Sequence, residues 1–301
     1  MAGSSSSILR PETLRQLEQL ELAVIKRSRS STRGERQSRA RGHSVEFADH
    51  RNYSRGDDLR YLDWNLYGRL DKLFVKLYEE EREVPVQLFL DASESMKFGT
   101  PRKFDTARSI AAAIGYLTIA GYDKLSFTTA PESTCPKPAR QFFRSIRGKA
   151  LGMRFLQNLE MIEPGGQSSI GDWFNHLQHA SGPRGLAIAI SDFLDDQPFA
   201  DALRKAAGSG FQIILIHMLS PQEITPPVQG ELRMVDAETG ASQEVTFGRY
   251  RLKAYQQMVQ GFKDQIRENC RGCGAHYVFC QSDVELQHFL FKTLREEGVL
   301  R

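Results

Sequence analysis

The chain has 301 residues, with 40 Lys plus Arg against 37 Asp plus Glu and a formal net charge of +3. A charge this near neutral argues against a general polyanion binder. Hydrophobic residues at 40% and charged residues at 26% make an ordinary composition for a chain long enough to bury a large core, and four cysteines are too few for a disulfide scaffold and point to a reducing compartment.

The apolar runs at 185–190 and 211–219 fall far short of the roughly 20 residues that span a bilayer. The opening MAGSSSSILRPETLRQLEQLEL has no apolar stretch of the secretory kind and carries an acid by Glu12. The expectation is a cytoplasmic protein with no membrane span.

In chain order, Leu14, Leu17, Leu20 and Val24 predict a helix over 11–27, opened by Pro11. Residues 26–41 carry seven basic residues and one acid and read as a basic connector. Residues 73–78 and 84–90 read as strands joined by a charged turn, so a hairpin is expected. After Asp91 the pattern alternates between helix and strand. A helix opened at Thr100-Pro101 has Phe104, Ala107, Ala111, Ile114 and Leu117 on its inner face. Strands are predicted at 125–129, 186–191, 213–218 and 277–280. Helices are predicted near 148–159, 170–180 and 198–207, and a long one has Leu252, Tyr255, Val259, Phe262 and Ile266 inward. A hairpin is expected at 232–247 around Glu238-Thr239-Gly240, and a last helix from Ser282 with Glu285 three residues on as a capping box. The fold class is α/β: a doubly wound, mostly parallel sheet with an N-terminal helix and β-hairpin extension.

In such sheets ligands sit beyond the carboxyl ends of the strands. There the strand VQLFL runs into Asp91-Ala92-Ser93-Glu94-Ser95, the loop before the 170–180 helix reads Gly165-Gly166-Gln167-Ser168-Ser169, and LAIAI ends in Ser191-Asp192. Three loops thus bring carboxylates and hydroxyls to one sheet edge. Oxygen donors suit a hard divalent cation, which takes six or more and keeps some waters. Asp91, Ser93 and Ser95 alternate and can turn to one point; Ser168 can add a hydroxyl, and Asp192 can bind directly or through a water.

Asp-x-Ser-x-Ser with a later loop hydroxyl and a later Asp resembles the metal-ion-dependent adhesion site of von Willebrand factor A domains. Upstream, Glu46-Phe47-Ala48-Asp49, Arg51-Asn52-Tyr53, Gly56-Asp57-Asp58-Leu59-Arg60 and Leu62-Asp63-Trp64, with Ser191-Asp192-Phe193, resemble the bacterial family catalogued as domain of unknown function fifty-eight. The resemblance covers residues 35–300. It implies a von Willebrand A-like (Rossmann-like) fold, a Mg²⁺ site (or Mn²⁺ or Ca²⁺) at Asp91, Ser93, Ser95, Ser168 and Asp192, and association with MoxR-type AAA+ ATPases. The family often has Thr at the loop position; here Ser168, or in another register Gln167, stands there.

The chain divides into a helix and basic linker at 1–43, a family segment at 44–83 expected to pack on the main domain, and a von Willebrand A-like domain at 84–301. Asp57, Asp58, Arg60, Asp63 and Trp64 form either a partner-binding surface or, preferred, a salt-bridge and packing cluster pinning their segment to the sheet. Glu223, just past the 213–218 strand, lies near the site edge with its role open. His217 reads as a hydrogen-bonded core residue. Cys270, Cys273, His276 and Cys280 fit no standard zinc spacing.

The chain has no Gly-x-x-x-x-Gly-Lys-Ser/Thr, no Gly-x-Ser-x-Gly and no histidine beside the three loops in sequence. The function expected is a non-enzymatic, metal-dependent protein-interaction module, a partner of a MoxR-type ATPase acting on a client that offers an acidic ligand residue. The alternatives are a metal-dependent hydrolase at the same site and a nucleic-acid binder through 26–41, although no aromatic side chains interleave with those arginines.

Overall fold

The computed structural model describes residues 8–22, 45–80, 83–179, 184–195, 198–227, 230–235, 242–247 and 249–301. The basic stretch 26–41 and the turn at 238–240 lie outside the described residues. There are two compact units, one built on Val84–Arg301 with the N-terminal helix, the other within Arg29–Glu83.

The larger unit is organised by five strands: β3 (Pro85–Asp91), β4 (Lys124–Ala130), β5 (Leu186–Ser191), β6 (Gln212–Leu219) and β9 (His276–Gln281). They pair in the order β4-β3-β5-β6-β9, and all four pairings are parallel. Parallel strands covered on both faces need apolar residues at successive positions. The sequence LAIAIS of β5 is buried at every one of its six positions. Side chains alternate between two cores: Leu88, Leu90, Ile188 and Ile190 face one, and Phe89, Ala187 and Ala189 the other.

The first core is covered by α3 (Lys103–Ala120) and α5 (Gly152–Glu160). Helix α3 is buried almost all round, which its Ala and Gly content allows. A Cβ on Gly115 would sit 2.4 Å from the ring of Phe155, so glycine is what lets α3 and α5 approach. Helix α1 (Pro11–Leu17) joins this core through Leu17, as does Leu9 just before it. It ends ten residues before the predicted limit, and Leu22 instead bridges to Leu300. The second core is covered by α6 (Ile170–His179), α7 (Ala200–Gly208) and α9 (Arg249–Cys273), with Trp173, Phe174, Leu203 and Ile266 inward. Of the remaining elements, α4 (Lys137–Phe143) follows β4, α8 (Pro221–Ile224) follows β6, and β7 (Gly230–Val235) pairs with β8 (Ser242–Phe247) in an antiparallel hairpin.

The smaller unit pairs β1 (Val45–Asn52) antiparallel with β2 (Phe74–Glu80), around α2 (Trp64–Leu70). The expected hairpin between 73–78 and 84–90 is therefore corrected: 84–90 is apolar on both faces and belongs inside the parallel sheet, which leaves β2 to pair with β1. The capping box expected at Ser282 is also absent: the helix starts only at Leu286 with Glu285 as its N-cap, and the Ser282 hydroxyl donates to the Pro101 carbonyl (2.9 Å). No helix among the described residues is long and apolar enough to cross a membrane.

Candidate functional site

From β3 the chain passes to β4 on one side and β5 lies on the other, so the order reverses between β3 and β5. That switch point is where a doubly wound sheet leaves a crevice. Asp91 closes β3 and Ser191-Asp192 close β5, which places them at its mouth.

Asp91 is buried. Its Oδ1 accepts from the Ser93 amide (2.9 Å) and its Oδ2 from the Ser191 hydroxyl (2.5 Å). Ser93 and Ser95 bring their Oγ atoms to 2.9 Å from each other. Both donors to Asp91 are neutral. Burial, and then the charge of nearby Asp192, push the Asp91 carboxyl up to about 6. The loop at 165–166 is stitched to this turn by Gly165 N–H to Ala92 O (2.7 Å) and Glu94 N–H to Gly166 O (2.8 Å). Three residues on, Ser169 Oγ accepts from Asp172 N–H, and Asp195 Oδ2 accepts from Ile170 N–H, which caps α6. The hydroxyl between, Ser168 Oγ, is buried with no hydrogen-bond partner among the described residues, whereas Gln167 is exposed. Of the two registers, Ser168 offers the unused oxygen. Its loop lines an open groove of about 1290 Å³, shared with Thr129, Arg140, Trp173 and Asp195.

Asp192 has a partner the sequence did not suggest. Its Oδ2 takes a hydrogen bond from Lys103 Nζ (2.6 Å), and Lys103 also donates to Glu223 Oε1 (2.6 Å). Lys103 is fully buried, and Asp192 nearly so. Glu223 stands here because Ser220 and Glu223 form a capping box on α8. Two carboxylates keep this ammonium charged: burial alone would lower its pKa, yet their attraction leaves it raised. The signal for Lys103 was its register: it lies four residues before Ala107 and seven before Ile110, on the buried stripe of α3. Gly99 helps bring the turn to Ser220; it has φ of +100°, and a Cβ there would lie 2.6 Å from that of Ser220.

A family model, that of a protein of unknown function, DUF58, matches residues 49–264. The chain belongs to the DUF58 family. Uncharacterized proteins of Mycobacterium bovis and Mycobacterium tuberculosis share 26% identity with it over 275 residues, covering 91% of this chain and 86% of theirs. Two solved structures are similar: an aerotolerance-related membrane protein from Bacteroides fragilis (18% identity, TM-score 0.44, 71% of this chain and 98% of that one) and the conserved hypothetical protein BatB from Bacteroides thetaiotaomicron (15%, TM-score 0.42, 71% and 96%).

In this DUF58 chain the other predicted site residues lie in the smaller unit. Arg51 holds Asp57 in a two-pronged pair (2.6 and 2.9 Å), and Arg60 holds Asp58 and pulls its carboxyl down to about 2. Asp63 caps α2 through the Asn65 and Leu66 amides and pairs with His50 (2.9 Å) and Lys76 (3.5 Å). The acids therefore hold their own hairpin and helix together. Trp64 does not share that role, being 64% exposed. Leu59, Tyr61, Tyr67 and Leu70 of the same segment are exposed as well, and the Trp64 ring meets that of Tyr67 edge-on.

His217 is buried, with Nδ1 2.9 Å from the Tyr277 hydroxyl and four aromatic rings packed edge-on around it. All four cysteines are free, and no cluster of three His, Cys, Asp or Glu gathers among the described residues. The site is thus a pairing of few carboxylates with many hydroxyls. That donor set suits a hard cation rather than zinc. The orphaned Ser168 hydroxyl and the uncompensated Asp91 carboxylate fit such an ion, while Asp192 is already engaged by Lys103.

Proposed function

We propose that this chain is a non-enzymatic protein-interaction module whose switch-point site holds Mg²⁺ or a similar divalent cation. One observation carries the reading: Asp91, a buried carboxylate at the mouth of the crevice, is answered among the described residues only by neutral donors. Asp91, Ser93, Ser95 and Ser168 would hold the ion, with Asp192 behind them through water. When bound, such an ion supplies an electrophilic position that a carboxylate from another protein can occupy. The chain's own residues arrange the rest. Ser191 orients Asp91, Ser169 and Asp195 fix the loop bearing Ser168, and the adjoining groove gives the partner's flanking residues a place to lie.

The hydrolase alternative needs a base. His217 is buried and burial holds its pKa down to about 3, and Glu223 is tied to Lys103 and Ser220. These facts favour binding over turnover. The family resemblance supplies the partner in this proposal: a MoxR-type AAA+ ATPase, with a client that brings the acidic residue. The exposed Trp64, Tyr61 and Tyr67 suit the ATPase contact, because aromatic side chains are what protein interfaces use as anchors.

The test is calorimetric titration of Mg²⁺ into wild type and Asp91→Ala after chelator treatment, with a parallel screen of phosphate and peptide esters. Heat of binding in wild type alone, without turnover, is expected. Equal affinity in both proteins, or sustained turnover that needs Asp91, would overturn the proposal.

A further inference from the structure

Lys103 occupies the place in this site where positive charge is most wanted. It is fully buried at the start of α3, with Nζ 2.6 Å from Asp192 at the end of β5 and 2.6 Å from Glu223 on α8. A buried ammonium persists only when it is paired in this way.

The two acids are held independently of it. Asp192 Oδ1 accepts from the Leu194 amide (3.2 Å), and Glu223 Oε2 accepts from the Ser220 amide (2.7 Å) and hydroxyl (3.0 Å). Each carboxylate thus has one oxygen fixed by its own loop and the other aimed at the ammonium. Asp91 is close enough for its charge and that of Asp192 to oppose each other. Take the ammonium away and Asp192 and Glu223 are left with one oxygen each pointed at the spot it occupied. Paired carboxylate oxygens are donors that a hard cation takes.

Resting on the reading of this site as cation-binding, we infer that Lys103 is a built-in competitor for the divalent ion: it keeps Asp192 and Glu223 from ligating the ion directly and so holds the native affinity low. The consequence is an exchangeable site. An ion held mainly by Asp91 and hydroxyls comes and goes with its concentration, and the ion's preference for a partner's carboxylate is not quenched by carboxylates of the chain itself. Lys103 acts as a positioning residue: it sets which of the chain's oxygens an ion can find.

The experiment compares wild type with Lys103→Met, both stripped with chelator and titrated with Mn²⁺, reading free Mn²⁺ by electron paramagnetic resonance and the melting temperature in the same samples. The variant is expected to bind at least about tenfold more tightly than wild type and to regain, on adding Mn²⁺, the thermal stability it loses in chelator. Equal affinities would overturn the inference and leave the cation-binding reading intact. Binding by the variant alone would support the inference and overturn that reading for the native chain. Binding by neither would overturn both. Should Lys103→Met fail to fold in chelator, Lys103→Gln is refolded with and without Mn²⁺. Recovery with Mn²⁺ only supports the inference, and equal yields overturn it. The double variant Lys103→Met with Asp192→Asn must lose the gain in affinity, or the added site is not the one described.

Discussion

The hydroxyl of Ser191 lies 2.5 Å from Oδ2 of Asp91, joining the ends of β5 and β3 across the switch point. The same Oγ accepts from the Phe193 amide (2.8 Å), so one side chain orients the buried carboxylate and shapes the loop bearing Asp192. Ser191→Ala removes both bonds between buried groups. The expected loss is about 1–3 kcal/mol of unfolding free energy, measured by urea denaturation. An unchanged midpoint would show that Asp91 finds another donor.

Asp91→Asn should separate stability from ion binding. Holding the Asp91 charge in a buried place is costly, which is why its carboxyl is pushed up to about 6. An asparagine can accept from Ser93 and donate to Ser191 without that cost. In chelator at pH 7.5 the variant is expected to melt at or above the wild-type temperature, yet to lose any rise caused by Mg²⁺. Differential scanning fluorimetry with and without the ion checks both halves. A variant that melts lower in chelator but still responds to Mg²⁺ would reverse the argument.

In the smaller unit the acids and Trp64 should behave oppositely. Asp63 accepts from two α2 amides and pairs with His50 and Lys76, so Asp63→Ala strips a cap and two partners at once. Trp64 touches the edge of Tyr67 with ring centroids 6.2 Å apart and otherwise faces out. Asp63→Ala should lower protection of β1–β2 amides in hydrogen exchange, whereas Trp64→Ala should leave it unchanged and weaken capture of the ATPase proposed as partner. Loss of amide protection in Trp64→Ala would return that residue to a packing role.

Gly115→Ala tests the contact that seats α3 against α5. A Cβ there would meet the Phe155 ring at 2.4 Å, well inside contact distance, and Phe155 is itself packed against Phe127 and Phe143. Overpacking of this kind costs about 1–3 kcal/mol. The companion Phe155→Leu should recover part of that loss in denaturant titrations. Purely additive losses would mean that the two side chains do not meet.

Much of this fold could be read from the chain because its strands declare themselves. LAIAIS and QIILIHML are too short for helices and too apolar for one-sided strands, so a parallel sheet follows. The Asp91-Ser93-Ser95 turn was legible for the same reason, since it directly follows such a run. Pairing was harder: 73–78 and 84–90 are adjacent strands, but adjacency cannot tell which partner a strand takes. Lys103 escaped because a lysine in a first helical turn ordinarily points to water, and only the acids from β5 and α8, 89 and 120 residues away, make it a buried one. The exposure of Trp64 likewise depends on tertiary placement that no local pattern carries.

His217 is expected to make the larger unit sensitive to acid. It is packed among the rings of Phe193, Phe262, Tyr277 and Phe279, and burial lowers its pKa from the ordinary 6.5 to about 3. Asp192 pulls that value up slightly, and Lys263 and Lys103 push it down. The sign follows from linkage: below pH 6.5 the unfolded chain takes up a proton that the folded one refuses. The stability that neutral His217 contributes is present above 6.5 and is lost as pH falls toward 3, at a slope approaching about 1.4 kcal/mol per pH unit. Asp91 acts in the other direction between its unfolded value and about 6, because there the folded state keeps the proton. His217→Gln removes the first effect and keeps a polar group for the Tyr277 hydroxyl. Urea midpoints measured from pH 7 down to pH 4 should therefore fall less steeply for His217→Gln than for wild type, and identical slopes would place the acid sensitivity elsewhere.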